Sequence, residues 1–167
     1  THHLSTKVEQ YVNSIKSSYS NDICTVHEPE LLGTAGTVIA NEHFFDGELN
    51  IAIHADNATD FDLQLLLDAH LRRPKGCLLT MVTFNTEEPS SCGIVEIDTN
   101  QIVVDFHEKK ANPPGNRANA AIYAFDRTFV DYLLSIHTRP FDLSLDVIPL
   151  LLGKIFTFHT ESRIIDI

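Results

Sequence analysis

Two carboxylates fall where a fold can use them. Asp56 follows an alternating run in which Leu49, Ile51 and Ile53 are interleaved with Asn50, Ala52 and His54, so it closes a strand in Ile51-Ala-Ile-His-Ala-Asp-Asn57. A carboxylate there can hold a hard cation such as magnesium, which takes one or two protein carboxylates when phosphates complete its shell. It can equally cap a helix or close a loop. Asp166, in Arg163-Ile-Ile-Asp-Ile167, joins it only if the fold brings the two together. Leu32-Gly-Thr-Ala-Gly36 sets Gly33 and Gly36 around Thr34 and Ala35 at the start of a helical stretch. Exposed backbone N–H groups at such a start suit a phosphate or a base, and the same spacing makes an ordinary tight turn. Glu108-Lys109-Lys110 ends a strand with an acid for hydroxyls and a base for a phosphate, or with solvated surface. Gly93, closing Ser90-Ser-Cys-Gly93, allows either close approach to the backbone or a bulge.

The elements that must carry these residues are legible from periodicity. Leu4, Val8, Tyr11, Val12 and Ile15 predict a first helix, and Ile23 to Val26 a short strand. A second helix is predicted from Gly33-Thr34 towards Phe44. A third, capped by Thr59 or Asp60, carries Phe61, Leu65, Leu66 and Ala69 to a stop at Pro74. Cys77 to Phe84 reads as a buried strand, and Ile94–Ile97 with Ile102–Phe106 as a hairpin around Asp98-Thr99-Asn100. After the loop at Asn112-Pro113-Pro114-Gly115-Asn116 come a strand from Ala120 to Phe125 and a helix through Phe129, Tyr132, Leu133 and Ile136. A helical piece from Asp142 to Leu152 follows, then strands at Ile155–Phe158 and Ile164–Ile167. Such alternation implies an α/β fold: a mostly parallel, Rossmann-like mixed sheet with helices on both faces and an antiparallel interruption. Ligands of such sheets sit beyond the carboxyl ends of strands, which directs attention to Asp56, Glu108-Lys109 and Asp166.

Composition narrows the function classes. The 167 residues predict one domain, and 43% hydrophobic with 21% charged residues can build a core. Twelve Lys+Arg against 23 Asp+Glu give a formal net charge of -11, which disfavours nucleic acid as a partner. No apolar run approaches the ~18 residues of a membrane span. Cys24, Cys77 and Cys92 are too few and too scattered for a disulfide scaffold or a zinc site, and a reducing, cytoplasmic setting is expected. The nine histidines form no HExxH motif or tight His/carboxylate cluster, and no nucleophile–base pair stands out.

Taken together and in order, these pieces resemble the sugar-phosphate nucleotidyltransferases, in particular the mannose- or heptose-1-phosphate guanylyltransferase type. Leu32-Gly-Thr-Ala-Gly36 is similar to the family's base-binding turn, Ile53-His-Ala-Asp56-Asn57 to its strand ending in Gly-Asp, and Phe106-His-Glu-Lys-Lys110 to its Glu-Lys-Pro segment. Asn119-Ala-Ala-Ile-Tyr123 resembles Asn-Ala-Gly-Ile-Tyr, while Asp146-Val-Ile-Pro149 and Ile165-Asp-Ile167 resemble the closing Asp-x-x-Pro and Asp-Ile-Gly-Thr elements. The resemblance implies transfer of a nucleotide from a nucleoside triphosphate, GTP being favoured, to a sugar 1-phosphate, with release of pyrophosphate. It implies that Asp56 and Asp166 hold magnesium at the phosphates and that Lys109 sits against the sugar phosphate. It also implies that Glu108 takes sugar hydroxyls, that Gly93 and Asn119 line the sugar pocket, and that Gly33, Thr34, Ala35 and Gly36 meet the base. Self-association is left open. Ala55, Lys110 and Ala121 replace the family's Gly, Pro and Gly. The family's Gly-Gly-x-Gly-Thr-Arg-Leu loop has no counterpart in the sequence. The expectation is therefore a single domain over 1–167, incomplete at both ends and inactive by itself. The alternative is a non-catalytic relative with a regulatory or assembly role.

Overall fold

The computed structural model describes residues 1–136 and 142–166 and separates into two compact units, residues 1–33 and 34–167. The first unit carries α1 (Ser5–Ile15) and a 3-10 turn, Lys16–Ser18. The strand expected at Ile23–Val26 is not formed. At its end the Thr1 amino group donates to the Val26 carbonyl and Glu28 N–H to the Thr1 carbonyl at 2.8 Å, too little for a ladder.

The second unit is built on a six-stranded sheet. Its strands are β1 (Asn50–Ile53), β3 (Leu79–Asn85), β4 (Gly93–Ile97), β5 (Val103–Glu108), β6 (Arg117–Phe125) and β7 (Ile155–His159), in the order β5-β4-β6-β3-β7 with β1 also on β6. The mixed α/β class stands, but the proportion of parallel pairing differs from the expected one: among the described pairs only β3–β7 is parallel. β1, β3 and β7 do share one direction, as alternation with helices demands. β6 enters against them, and because it pairs with β1, β3 and β4 it turns most of the ladder antiparallel. A separate two-stranded ribbon pairs β2 (Asn57–Thr59) with β8 (Ile164–Asp166). Ile167, expected to end that strand, lies outside the described residues.

Helices cover both faces. On one, α2 (Gly33–Ala40), α4 (Arg127–Ser135) and a π-helical then 3-10 segment (Leu143–Val147, Ile148–Leu151) pack Ala35, Val38, Phe129, Leu133 and Val147 onto Met81, Tyr123 and Phe125. On the other, α3 (Leu63–Leu71) presents Leu66, with Phe61, to Val82, Ala120, Ile122 and Ala124. β6 is thus buried on both sides, which accounts for its nearly unbroken run of small and apolar residues. The helix starts follow from capping. Asp62, rather than Thr59 or Asp60, accepts Gln64 N–H at 2.9 Å, because Asn57–Thr59 is already committed to the ribbon. Asp126 accepts Thr128 N–H at 2.9 Å and starts α4 in the same way. None of the described helices is long and apolar enough to cross a membrane.

Candidate active site

An irregularity in β6 organises the site. Met81 pairs with Tyr123 and Thr83 with Asn119, so the single residue Val82 on β3 faces three on β6, Ala120, Ala121 and Ile122. The excess is absorbed by a bulge in which Ala121 takes a φ of 52°. Three hydrogen bonds hold it. Asn119 Oδ1 accepts Ala121 N–H at 3.0 Å, the Ala120 carbonyl accepts Asn57 Nδ2–H at 2.7 Å, and the Ala121 carbonyl accepts His54 N–H at 3.4 Å. The last two donors flank Asp56. Asn57 N–H also returns to the His54 carbonyl at 3.1 Å, so the turn bearing Asp56 is pinned to the bulge.

Beside this turn opens a cavity of about 840 Å³ lined by Thr34, Thr37, Phe45, His54, Asp56, Ala121 and Tyr123, among others. Of the Gly33–Gly36 turn, Thr34 reaches the cavity, whereas Ala35 and Gly36 are buried in the core face of α2. Gly33 takes a φ of 72°, which glycine adopts without strain. Thr34 Oγ1 donates to Asp142 Oδ2 at 3.3 Å and accepts Leu143 N–H at 2.8 Å, tying α2 to the π-helical segment. Asp142 caps that segment, accepting Ser144 N–H at 2.7 Å and Leu145 N–H at 2.9 Å, while its own N–H donates to Asp146 Oδ2 at 2.9 Å.

On the hairpin, β4 and β5 bring Gly93 opposite Glu108. A methyl group on Gly93 would stand 2.6 Å from Glu108 Oε2 and 2.6 Å from the Phe106 ring, so the close approach glycine permits here is by the chain's own carboxylate and ring. Burial pushes the Glu108 carboxyl above its usual range; Asp142 adds to the rise and Lys109 opposes it. Lys109 is exposed, with a φ of 47° and its N–H on the Cys92 carbonyl at 3.1 Å. Asn119 Nδ2 donates to the Tyr123 hydroxyl at 2.8 Å. Burial pushes the Tyr123 phenol up to about 12, hydrogen bonds from Asn119 and Ser144 pull it down, and the charges of Asp142 and Glu108 raise it further. Tyr123 therefore lines the cavity and feels the charge of Glu108. Two of the four described non-glycine residues at positive φ, Lys109 and Ala121, fall in this region, as strained backbone at functional sites tends to do.

Thr34 and Asp56 meet in the cavity, Glu108 and Gly93 meet across the hairpin, and Asn119 reaches the cavity wall through its bond to Tyr123. Asp166 pairs through its backbone with Asn57, the residue after Asp56. Sequence reasoning passed over Asp142 and Tyr123, whose partners lie on other elements. It also missed Glu96, Asp105 and His107, one ligand atom of each lying within 4.8 Å of the others on the hairpin. Spacing along one chain does not show such cross-strand neighbours. His107 Nε2 lies 2.8 Å from Glu96 Oε1 and 3.6 Å from Asp105 Oδ2, which sets a half-buried ring between two exposed carboxylates.

Comparison with known proteins gives a consistent result. A sequence model of a family described as "Nucleotidyl transferase" matches residues 1–155. A glucose-1-phosphate adenylyltransferase of Thermotoga maritima is 30% identical over 140 residues, covering 77% of this chain and 33% of that protein. The mannose-1-phosphate guanylyltransferase catalytic subunit beta of Drosophila melanogaster is 33% identical over 131 residues, covering 74% and 32%. The chain spans about a third of the length of these curated relatives. In fold it resembles HddC from Yersinia pseudotuberculosis, solved in complex with GMP-PN, with a TM-score of 0.78 at 17% identity over 99% of this chain and 69% of that one.

Proposed function

The chain belongs to the nucleotidyl transferase family, and from that membership we propose that it serves an enzyme joining GTP and a sugar 1-phosphate into a nucleotide-sugar. The observation that carries this reading is the cavity in which the Asp56 turn, the start of α2 and the β6 bulge meet. In the reaction an oxygen of the sugar phosphate forms a bond to the α-phosphorus of the triphosphate. The bond from that phosphorus to the bridging oxygen breaks, and its electron pair leaves with pyrophosphate. Such chemistry asks the protein chiefly for positioning and charge neutralisation.

Each residue then has a part. Asp56 and Asp166 would hold magnesium, whose positive charge, when the ion is bound, offsets that of the phosphates. The donor chemistry fits: the Asp56 carboxylate is an exposed, hard oxygen donor lining the cavity, with no hydrogen-bond or ion-pair partner among the described residues. Lys109 neutralises the sugar phosphate. Glu108, held over Gly93, accepts from sugar hydroxyls. Asn119 has a second amide proton beyond the one given to Tyr123, and it offers that proton to the sugar. The contact with the base falls to Thr34. Guanine is favoured by the motif likeness, the guanylyltransferase relative and the GMP-PN complex of the fold neighbour; adenine is the competitor raised by the adenylyltransferase relative.

The test is pyrophosphate release by the full-length protein from GTP, ATP, UTP or dTTP, each with glucose or mannose 1-phosphate. GTP-dependent turnover is expected, with Asp56→Asn lowering it at least about 100-fold. Turnover with ATP alone would move the base assignment. No turnover above blank with any pair would reject the reading in favour of a non-catalytic module, and a fully active Asp56→Asn would remove the metal role.

A further inference from the structure

The plainest residue of the site holds its backbone in the left-handed region. Ala121 takes a φ of 52°, where the β-carbon of an L-residue crowds the following carbonyl. Glycine meets this demand at Gly33, Gly76 and Gly153, whose φ values are 72°, 97° and 79°; Leu4, Gln101 and Lys109 are the other described non-glycine residues that meet it, and unlike Ala121 none of them lines the cavity. Glycine at 121 would supply the same bulge without strain. The strain cannot relax by re-registering β6, because Asn119 Oδ1, Asn57 Nδ2 and His54 N–H each grip the bulge. What alanine adds is a methyl group, and Ala121 lines the cavity beside Asp56 and Tyr123. Ala120 and Ile122, on either side of it, face the α3 layer instead.

We propose that Ala121 is a specificity-determining residue. Its methyl group walls the cavity so that it admits sugar 1-phosphates whose ring carries only hydroxyl-sized substituents on the side facing β6, and rejects acetamido sugars. This rests on the function proposed above and names the substrate class for that same site. A strained residue is kept where the surrounding structure over-determines it and something is gained by it. Here the gain is a narrower cavity. A single methyl group in a pocket discriminates between substrates by about 10- to 200-fold.

The rival explanation is that the methyl merely packs, since Ala121 also touches the core around Tyr123. Ala121→Gly in the full-length protein separates the two, with Ala124→Gly, at a fully buried position of the same strand outside the positive-φ set, as the control. Ala121→Gly is expected to melt no lower than the wild type, because relief of the left-handed strain offsets the greater chain entropy of glycine. Ala124→Gly, which has only the costs, is expected to melt several degrees lower. The ratio of kcat/KM for N-acetylglucosamine 1-phosphate to that for glucose 1-phosphate should rise about tenfold or more in Ala121→Gly. Calorimetric titration of the two sugar 1-phosphates should show the same trend in affinity. A ratio unchanged within about twofold in an active enzyme overturns the inference and leaves the proposed function standing. So does a loss of melting temperature as large as that of Ala124→Gly, which would make the methyl a packing group. A wild type that neither turns over nor binds any sugar 1-phosphate removes the proposed function and this inference together.

Discussion

Asn119 is the residue through which bulge and cavity hold each other, and replacing it separates a structural from a chemical contribution. Its Oδ1 takes the Ala121 N–H at 3.0 Å and its Nδ2 donates to the Tyr123 hydroxyl at 2.8 Å. Truncation to alanine removes both bonds, each with a net value of about 1 kcal/mol. It also strands a part-buried N–H, at about 1–3 kcal/mol for an unsatisfied group, and leaves the hydroxyl of Tyr123, a residue only 2% exposed, with Ser144 alone. The expected loss is about 2–4 kcal/mol. Asn119→Asp keeps the acceptor for Ala121, and the phenol, which burial keeps protonated with its pKa near 12, can turn to donate to the new carboxylate. Its loss should stay below about 1.5 kcal/mol. The aspartate, however, adds a negative charge to a neighbourhood that already holds Asp142 and Glu108. It should therefore raise KM for the sugar 1-phosphate at least about tenfold. Urea unfolding followed by circular dichroism and steady-state kinetics measure the two effects independently. An alanine variant as stable as the wild type would show that the bulge does not depend on this amide. An aspartate variant as unstable as the alanine one would refute the division of labour.

Two further outcomes follow from buried groups near the sheet. His70 is fully buried with Nδ1 2.8 Å from Thr80 Oγ1 and Nε2 without a partner, and burial, with Arg73 adding to it and Asp126 opposing, lowers its pKa from 6.5 to about 4. The unfolded chain binds that proton first, so the stability contributed by neutral His70 is complete above about pH 6.5 and is lost as pH falls towards 4. The loss is about 3 kcal/mol, and His70→Leu should flatten the wild-type slope of unfolding free energy in that window; an unchanged slope would refute it. Gly93→Ala would force its methyl against Glu108 Oε2 and Phe106 at 2.6 Å. Overpacking of this kind costs about 1–3 kcal/mol, and the displaced carboxylate should raise KM for the sugar 1-phosphate more than it lowers kcat. Equal KM values for variant and wild type would show that Glu108 does not meet the sugar.

The parts of this fold that could be read from sequence are those whose cause is local. The β4–β5 hairpin announces itself by alternation on either side of Asp98, whose Oδ1 collects the Asn100 and Ile102 N–H groups at 2.8 and 2.9 Å. α4 follows from the spacing of Phe129, Tyr132 and Leu133, although its Asp126 cap was not foreseen. Strand direction has no local cause, so alternation with helices predicted a mostly parallel sheet while β6 runs against its neighbours. β2 has three residues and exists only because β8 pairs with it from the far end of the chain. Thr34 and Asp142 stand 108 positions apart, and nothing near either residue names the other. The glycine-to-alanine departure at position 121 was visible, but the positive φ was not, because an alanine gives no sign of the backbone it has been made to adopt.

The position of Asp56 is decided less by its own strand than by β6. A strand buried on both faces and regularly paired leaves no backbone group free to anchor a loop. The extra residues of the bulge break that rule locally, releasing the carbonyls of Ala120 and Ala121 from the ladder. His54 N–H and Asn57 Nδ2 take them up, one on each side of Asp56. The bulge therefore does three things through one distortion. It fixes the turn that carries the carboxylate, it sets Ala121 into the cavity wall, and it places Asn119 to bridge Ala121 and Tyr123. A regular β6 would bury the same apolar side chains and lose all three, which is the physical reason to look for the chemistry of this chain at the one place where its central strand is irregular.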